Sequence, residues 1–555
     1  MATECEAGKD VPKRGKPEQG SDMSDSETVP AATTGESVGS APALPRGALE
    51  IAAGYAFTGP ALDLGALMWE GQCLPDAQIR IPLPMLNRHG LVAGATGTGK
   101  TKTLQLVAEQ LSAQGVPVFL ADVKGDLSGM AAPGEANDKV RGRAGEVHQE
   151  WTPTGFPAEF YALGGLGRGI PLRATITSFG PVLLSKVLQL NQTQEQSLGL
   201  IFHYADTKGL ELLDLKDLRA VVAFLTSDEG RAELKNIGGL STATAGVILR
   251  SLTAFEAQGM SDFFGEPEFD TNEFLRTAAD GRGMVSVLEL PAVQDKPQLF
   301  STFLMWLLAD LFHDLREVGD ADKPKLVFFF DEAHLLFNDA SKAFLDSITQ
   351  TVRLIRSKGV GVFFVTQTPK DVPSDVLAQL GNRVQHALRA FTPDDQKALK
   401  ATVKTFPNPA YDLEELLTGL GTGEAVVTVL SEKGAPTPVA ATRLRAPESL
   451  MGPIEATALD QAVKASQLYG RYAQAVDRES AYEKLTAAPA KSGETPTPAP
   501  AAPAPKGRAA KPKEQASMVE QVVGSGMFKS LARSVGTQIG REITRSIFGT
   551  ARRRR

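Results

Sequence analysis

The sequence lacks several features that define whole classes of protein. Its 555 residues include only two cysteines, Cys5 and Cys73, which excludes a disulfide framework and a cysteine metal cluster and favours a reducing cytoplasm. No run of about 18 apolar residues occurs, so we predict no membrane-spanning helix. The first residues also lack the apolar core of a secretion signal. With 42% hydrophobic and 22% charged residues, the composition indicates a globular cytoplasmic protein with a large core.

Positive charge is scarce over most of the chain and concentrated at its carboxyl end. Residues 506–555 carry twelve Lys and Arg against three Glu, whereas the net charge of the whole chain is −7. The rest of the chain therefore carries −16, which does not fit a surface coated with nucleic acid. The basic segment is interpreted either as an arm that binds polyanions or as a solubilising tail.

Composition also divides the chain into a body and flanking segments. Residues 1–46 and 485–513 are rich in small residues and Pro and poor in large apolar ones, so we predict a disordered tail and a Pro/Ala-rich linker. Residues 47–450 are predicted to be the main domain and 451–484 a helical extension. Residues 514–555 are predicted to form a basic helix that the linker joins to the body.

Short apolar runs that alternate with helical patterns predict an α/β fold for the body. Because these runs show no polar alternation, they indicate strands covered on both faces, as in a largely parallel sheet. Residues 173–265 interrupt the rhythm with helical patterns, and we predict a helical insertion subdomain there. The predicted strands lie within 91–100, 116–126, 283–290, 325–334, 359–368 and 423–430.

The segment GATGTGKT, residues 94–101, is the strongest chemical signal. It fits the pattern G-x-x-x-x-G-K-[ST], follows a predicted strand and begins a predicted helix. Its glycines let successive backbone N–H groups face an anion, and the helix N-terminus adds positive potential. We expect Lys100 to contact the β- and γ-phosphates and the Thr101 hydroxyl to bind Mg²⁺. The segment therefore predicts a nucleoside triphosphate site.

Two carboxylates follow the apolar run 326–330. Asp331 is predicted to hold Mg²⁺ through water, and Glu332 to polarise an attacking water. Together with the phosphate loop, this pair predicts hydrolysis and not binding alone. His334 has no second histidine four residues away, so we predict that it supports the acids and does not bind a metal.

Two further polar groups each have two interpretations. Gln367 ends an apolar strand, where it is expected either to sense the γ-phosphate or orient water, or to serve as a turn or helix-cap residue. Arg353 and Arg356 share one face of a predicted helix. They are interpreted either as a source of an arginine that reaches a neighbouring subunit or as the solvated end of that helix.

Four segments taken together, GATGTGKT, FLADVKGDLSG, FFFDEAH and RSKGVGVFFVTQTP, resemble the HerA-like branch of the HerA/FtsK ATPases, in particular its bacterial helicase members. The resemblance implies a RecA-like P-loop core, a homo-oligomeric ring, most often a hexamer, and translocation of DNA with ATP and Mg²⁺. It assigns Gln367 as sensor, Arg356 as intersubunit arginine, and Thr101 and Asp331 as metal ligands. It implies that the catalytic residues are Lys100, Glu332, Gln367 and Arg356. It also implies that the nucleotide is bound by Gly94, Ala95, Thr96, Gly97, Thr98, Gly99, Lys100, Thr101 and Lys102.

The chain departs from this family's archaeal members before the phosphate loop. Those members carry a β-barrel there, through which a nuclease docks, whereas Ala48–Leu91 is too short for a comparable barrel. We therefore expect no nuclease partner of that kind. Asp122 and Lys124 fall in a family motif and are interpreted either as support for the site or as a structural turn.

The alternative function is a protein-remodelling ATPase or a nucleotide-gated scaffold. No aromatic-glycine loop suited to gripping a polypeptide is evident. Basic residues that are candidates for gripping DNA phosphates are also interpretable as solvated charges. These residues are Lys139, Arg141, Arg143 and Lys370.

The predicted C-terminal helix carries an apolar residue every four positions, which gives a stripe that winds around the helix. We favour a brace against an adjacent subunit. Packing on its own body and binding to a membrane surface are the alternatives. The stripe consists of Met527, Leu531, Val535, Ile539, Ile543 and Ile547.

Overall fold

The computed structural model describes residues 44–487, apart from positions 236, 320, 339–341 and 408. The basic helix predicted at 514–555, its apolar stripe, nearly all of the predicted N-terminal tail and most of the predicted linker lie outside these residues. One boundary differs from the prediction: a helix continues through Ala487, beyond the position where the linker was expected to begin. It does so because Ser480 Oγ and the Tyr482 N–H bind the buried Asp217 carboxylate.

A single sheet forms the centre of the described region. Its strands lie in chain order at β1 (Ala61–Trp69), β2 (Gln72–Pro82), β3 (Gly90–Ala93), β4 (Val118–Asp122), β5 (Ala158–Leu163), β6 (Ile170–Leu172), β7 (Val285–Glu289), β8 (Leu326–Phe330), β9 (Val360–Thr366), β10 (Asn382–His386), β11 (Glu424–Thr428) and β12 (Ala440–Leu444). All six predicted strands are present.

The sheet has a parallel and an antiparallel part. Across it the strand order is β2-β1-β12-β11-β10-β3-β9-β8-β4-β7-β5-β6. Every neighbouring pair from β10 to β6 is parallel, and every pair from β10 back to β2 is antiparallel. The predicted α/β class with a largely parallel sheet is therefore confirmed. The segment before the phosphate loop forms the β1–β2 hairpin, which extends the same sheet.

Helices surround this sheet and extend from it. They are α1 (Arg46–Ala53), α2 (Lys100–Ala113), α3 (Asp138–Glu146), α4 (Ile176–Val187), α5 (Gln192–Lys208), α6 (Leu215–Thr226), α7 (Asp228–Leu234), α8 (Thr242–Ala257), α9 (Pro297–Asp314), α10 (His334–Phe337), α11 (Lys342–Ile355), α12 (Ser374–Leu377), α13 (Pro393–Val403), α14 (Leu413–Gly419), α15 (Ala456–Ala465), α16 (Tyr469–Tyr472) and α17 (Ala481–Ala487). None of the helices in the described part of the chain is long and apolar enough to cross a bilayer.

The core lies around the middle of the parallel part. Strands β4, β7, β8 and β9 are buried along their whole length, and α2 packs on β3, β4 and β9. Phe119 on β4 contacts the rings of Phe274, Phe303 and Phe328. Such burial of aromatic rings contributes on the order of 1.5–3 kcal/mol for each side chain. The rigid centre of the sheet is therefore the platform for residues at its strand ends.

Helices α4–α8 lie between β6 and β7 and pack mainly on one another, while α4 also contacts α9 of the body. The segment after β12 then returns across the body. Its α15 packs on β5, α16 on β6 and α17 on α6. This extension therefore ties the parallel edge of the sheet to the helices between β6 and β7.

Candidate nucleotide site

The phosphate loop connects β3 to α2 and is held from three sides. The Gly94 N–H donates to Thr366 O at 3.2 Å, and the Ala95 N–H donates to Ala387 O at 2.8 Å. On the third side, the Gly423 N–H donates to Thr98 O at 3.0 Å. The loop therefore has one defined path between β9, β10 and the turn before β11.

Glycine is required at two positions of this path. Gly94 has a φ of +155°, and a Cβ there would lie 2.4 Å from His386 Cβ. Gly99 has a φ of +111° and ends the loop at the N-terminus of α2. Side chains at these positions would force the backbone out of the shape that exposes its N–H groups.

Lys100 and Thr101 begin α2, whose N-terminus faces the loop. The Lys100 side chain is buried, and its Nζ donates to Ala95 O at 3.2 Å. Burial lowers its pKa, and the nearby Glu332 carboxylate partly offsets this. A phosphate placed in the loop would be met by this cation and by the helix N-terminus. Lys102, one position further along α2, donates instead to Gln105 Oε1.

The parallel register brings the acids and Gln367 to the edge where the phosphate loop lies. Ala93, the last residue of β3, pairs with Thr366, and Phe330, the last residue of β8, pairs with Phe364 of β9 and Ala121 of β4. The residues that follow these strand ends share this edge, as the topology of a parallel α/β sheet demands. The predicted juxtaposition of phosphate loop, acid pair and Gln367 therefore follows from strand pairing.

Asp331 has the environment of a metal ligand. Its side chain is 1% exposed, and its Oδ1 accepts the Glu332 N–H at 2.9 Å. Its Oδ2 has no hydrogen-bond partner among the described residues. Burial raises the pKa of this carboxyl to about 6. A buried carboxylate oxygen without a donor fits a hard cation such as Mg²⁺. Thr101, the second residue of α2, is the other residue that the sequence predicts as a ligand.

Glu332 is held in a strained position between two basic groups. Its φ of +47° is rare for a residue with a side chain. Lys124 Nζ lies 2.6 Å from Glu332 Oε1, and His334 Nδ1 lies 3.2 Å from Oε2 without hydrogen-bond geometry. Burial would raise the pKa of Glu332, but the Lys124 ammonium outweighs it and holds that pKa below the usual range. His334 thus contacts Glu332, and no metal-binding cluster of His, Cys and acids occurs among the described residues.

The motif that contains Asp122 and Lys124 forms a structural turn and also contacts the candidate site, the two interpretations that the sequence leaves open. The buried Asp122 carboxylate accepts the backbone N–H groups of Lys124 at 3.2 Å, Gly125 at 2.7 Å and Leu127 at 2.7 Å. Asp122 thereby builds a structural turn at the end of β4. That turn projects the Lys124 side chain to Glu332, so Lys124 supports the site directly.

Gln367 lies at the rim of a pocket of about 280 Å³ beside the phosphate loop. Its side chain is exposed, while both neighbours in sequence are fixed: Asp371 accepts hydrogen bonds from the Thr366 hydroxyl and from the N–H and hydroxyl of Thr368. The cap of this turn is thus Thr368 with Asp371, and Gln367 is left to face the pocket. The pocket is lined by Ala95, Thr96, Gln367, Thr368, Leu388, Arg389 and Asp395.

The two arginines predicted on one helix are separated by a change of helix type. Arg353 is on α11, which ends at Ile355, and Arg356 begins the 3₁₀ turn Arg356–Lys358. Both side chains are exposed. A tight turn closed by Gly359 with a φ of +80° brings the chain back into β9 and ends the α-helix earlier than the sequence pattern predicts.

The candidate DNA-gripping cations divide into two groups. Arg143 donates from Nη1 to Gly423 O at 2.9 Å and to Leu444 O at 3.0 Å, and from Nη2 to Thr422 O. This residue therefore braces the turn that contacts the phosphate loop, because three of its hydrogen bonds go to carbonyl groups there. Lys139 and Arg141 on α3, and Lys370, are exposed.

Three residues of the site were missed by sequence reasoning. His386 lies beneath Gly94, and its Nε2 is 2.8 Å from the Thr103 hydroxyl; burial lowers its pKa to about 4, so it is neutral. Arg389 lines the pocket and approaches Thr96 O at 3.4 Å. Glu289 ends β7 beside Asp122, where burial raises its pKa to about 8. The strands in which these three residues lie, or which they follow, contain no recognisable motif.

Comparison with known proteins assigns the family. The model of the helicase HerA-like C-terminal family matches residues 69–555. The chain belongs to this family. As a member of this family, the protein is a P-loop ATPase.

Individual relatives are distant. The chain is 23% identical over 362 residues to the DNA double-strand break repair helicase HerA of Sulfurisphaera tokodaii, covering 63% of this chain and 64% of that protein. It is 23% identical over 405 residues to the HerA helicase of Pyrococcus furiosus, covering 66% of this chain and 67% of the relative. The match thus spans about two thirds of the length of these helicases. Among solved structures, the bacterial conjugative coupling protein TrwBdeltaN70 matches 73% of this chain and 95% of its own, with 15% identity and a TM-score of 0.46.

Proposed function

We propose that the protein is a Mg²⁺-dependent ATPase that assembles as a ring, most simply a hexamer, and translocates DNA. The observation that carries the proposal is the meeting of the phosphate loop with Asp331 and Glu332 at one sheet edge. Lys100 and the α2 N-terminus hold the phosphates, Asp331 and Thr101 hold Mg²⁺, and Mg²⁺ neutralises charge on the phosphates when bound. Glu332 takes the proton of the attacking water.

The ring rests on the position of Arg356. This exposed residue begins the turn between α11 and β9, and Gln367 directly follows that strand. We propose that it enters the nucleotide site of a neighbouring subunit, which leaves an isolated subunit without one cation of its active site. The exposed Gln367 and Arg389 then face the phosphates of their own subunit. We propose the cytoplasm as the compartment and no nuclease partner of the barrel-docking kind.

The test is ATP hydrolysis measured with duplex DNA, single-stranded DNA, RNA or no polymer, at two salt concentrations. We expect stimulation by DNA that falls as salt rises, because phosphate contacts release counterions. Lys100→Ala is the matched variant without nucleotide binding. Hydrolysis that no nucleic acid stimulates at either salt concentration would instead support the protein-remodelling or scaffold function.

Assembly is tested separately by light scattering of the full chain with a non-hydrolysable ATP analogue. We expect a single species of defined mass that increases with nucleotide. A protein that stays monomeric with the analogue and still hydrolyses ATP at its full rate would refute the ring.

A further inference from the structure

We propose that Lys124 is a tethered cation that competes with Mg²⁺ for Asp331 and Glu332 and holds Glu332 out of catalysis until Mg²⁺–ATP binds. This inference rests on the proposed ATPase activity but is independent of DNA. Lys124 is then a positioning residue, and it lies in a motif for which the sequence leaves two roles open.

The geometry shows that Lys124 is shared between both acids. Its Nζ lies 2.6 Å from Glu332 Oε1 and 4.0 Å from Asp331 Oδ2. Within the part of the chain that the structure describes, no other lysine or arginine forms an ion pair with either acid. One ammonium group thus neutralises part of the charge of two carboxylates that are 1% and 8% exposed.

The backbone beneath Lys124 is fixed, whereas its side chain is free to withdraw. Asp122 binds three N–H groups of the turn, those of Lys124, Gly125 and Leu127, so the Cα of Lys124 stays beside the site. The Lys124 side chain is 43% exposed, in contrast to the 10% of the Glu332 side chain to which it is bound. The four flexible methylene groups of Lys124 allow its ammonium group to leave the two acids and enter solvent without any change in the fold.

Mg²⁺ and the Lys124 ammonium cannot both keep these positions. Asp331 would hold the dication, and the Lys124 ammonium lies 4.0 Å from the Oδ2 of the same carboxylate, so the two cations would repel each other. Mg²⁺ binding would therefore favour withdrawal of Lys124. Its departure leaves Glu332 Oε1 without the ammonium, and that oxygen is then available to accept a proton from water.

The experiment compares Lys124→Gln with the parent protein, and uses Lys433→Gln as a matched control at an exposed lysine far along the chain, between β11 and β12. Binding of a fluorescent non-hydrolysable ATP analogue is followed as Mg²⁺ is titrated. We expect the half-saturating Mg²⁺ concentration to fall at least fivefold in Lys124→Gln and to stay unchanged in Lys433→Gln. Lys124→Arg keeps the charge and is expected to remain near the parent value.

Thermal melting supplies a second measurement that does not depend on nucleotide chemistry. Without Mg²⁺, Lys124→Gln is expected to melt below the parent because two buried acids lose their shared cation. Adding Mg²⁺ should then raise its melting temperature more than that of the parent. A melting temperature that Mg²⁺ raises equally in both proteins counts against the competition.

Three further results would overturn the proposal. A half-saturating Mg²⁺ concentration that is unchanged or higher in Lys124→Gln would show that the cations do not compete. Weaker analogue binding by Lys124→Gln at saturating Mg²⁺ would make Lys124 a phosphate ligand instead. A parent protein that binds no Mg²⁺–analogue would overturn the ATPase proposal as well, whereas a lack of DNA stimulation alone leaves this inference intact.

Discussion

The two sides of the phosphate loop are built on different principles. On the side of β4 and β8, the acids are buried and bound by backbone N–H groups and by Lys124. On the side of β9 and β10, Gln367 and Arg389 are exposed around an open pocket. The acids of the buried side are held by groups of the same chain, whereas the side chains of the exposed side border an open pocket. Substitutions on the two sides should therefore differ in their consequences.

The largest effect is expected on the buried side. Glu332→Gln should lower kcat on the order of 10³-fold, because an amide cannot accept the proton of the attacking water, and should leave analogue binding nearly unchanged. Steady-state hydrolysis and analogue titration measure the two quantities. Turnover equal to that of the parent would remove Glu332 from catalysis.

The next effect concerns Arg356, which precedes β9, and it depends on assembly. Arg356→Ala should lower kcat on the order of 10²-fold without loss of the oligomer, since one cation of the transition state is removed. Arg353→Ala, on the preceding α11, is the matched control and should hydrolyse ATP normally. Mixing Arg356→Ala with Glu332→Gln subunits should restore part of the activity, because some interfaces then carry both intact residues. No restoration in a mixed oligomer would place Arg356 outside the neighbouring site.

A smaller effect is expected where the pocket meets the phosphate loop. Arg389→Ala should weaken binding of the triphosphate analogue about tenfold, because a charge-assisted hydrogen bond to phosphate contributes about 1.5–3 kcal/mol. Binding of ADP should change less, and the ratio of the two affinities is the measurement. An equal loss for both nucleotides would place Arg389 away from the γ-phosphate.

The stability of the fold should distinguish Arg143, which braces the turn before β11, from the exposed Arg141. Arg143→Ala should lower the stability of the fold by about 2 kcal/mol, because three carbonyl groups lose a donor. Arg141→Ala should change it by less than about 0.5 kcal/mol, as surface substitutions usually do. Thermal melting of both variants tests this, and equal melting temperatures would contradict the role of Arg143.

The smallest expected effect is a pH dependence of fold stability that arises from Glu289. The pKa of this residue in the fold is about 8, against an ordinary value of 4.5. The folded state then binds more protons than the unfolded state between these values, so Glu289 makes the parent lose stability as pH rises through this window. Glu289→Gln should remove that loss. We expect the melting temperature of Glu289→Gln to rise relative to that of the parent as pH is raised from 5 to 8. A constant difference across this range would show that Glu289 keeps its ordinary pKa.

Motif spacing and apolar runs predicted much of the fold and most of the proposed site. The strands at β3, β4, β7, β8, β9 and β11 were predicted because their runs are apolar on both faces. The strand β10 was missed because Asn382, Arg383, Gln385 and His386 give it a polar sequence. Its polar groups are tolerated because the fold supplies partners, such as Met85 O and His89 O for the Asn382 amide.

What the sequence by itself determined is the local chemistry: a glycine-rich turn before a helix, and two acids after a buried strand. These depend on neighbours in sequence, whose backbone geometry is set by residue type. Only the tertiary structure decided that Lys124 holds Glu332, that Arg143 braces the turn at Gly423, and that Arg389 enters the pocket. These contacts join residues as many as 293 positions apart, and their existence depends on strand order and register. Pairing of distant strands is decided by packing of the whole sheet, which no short motif encodes.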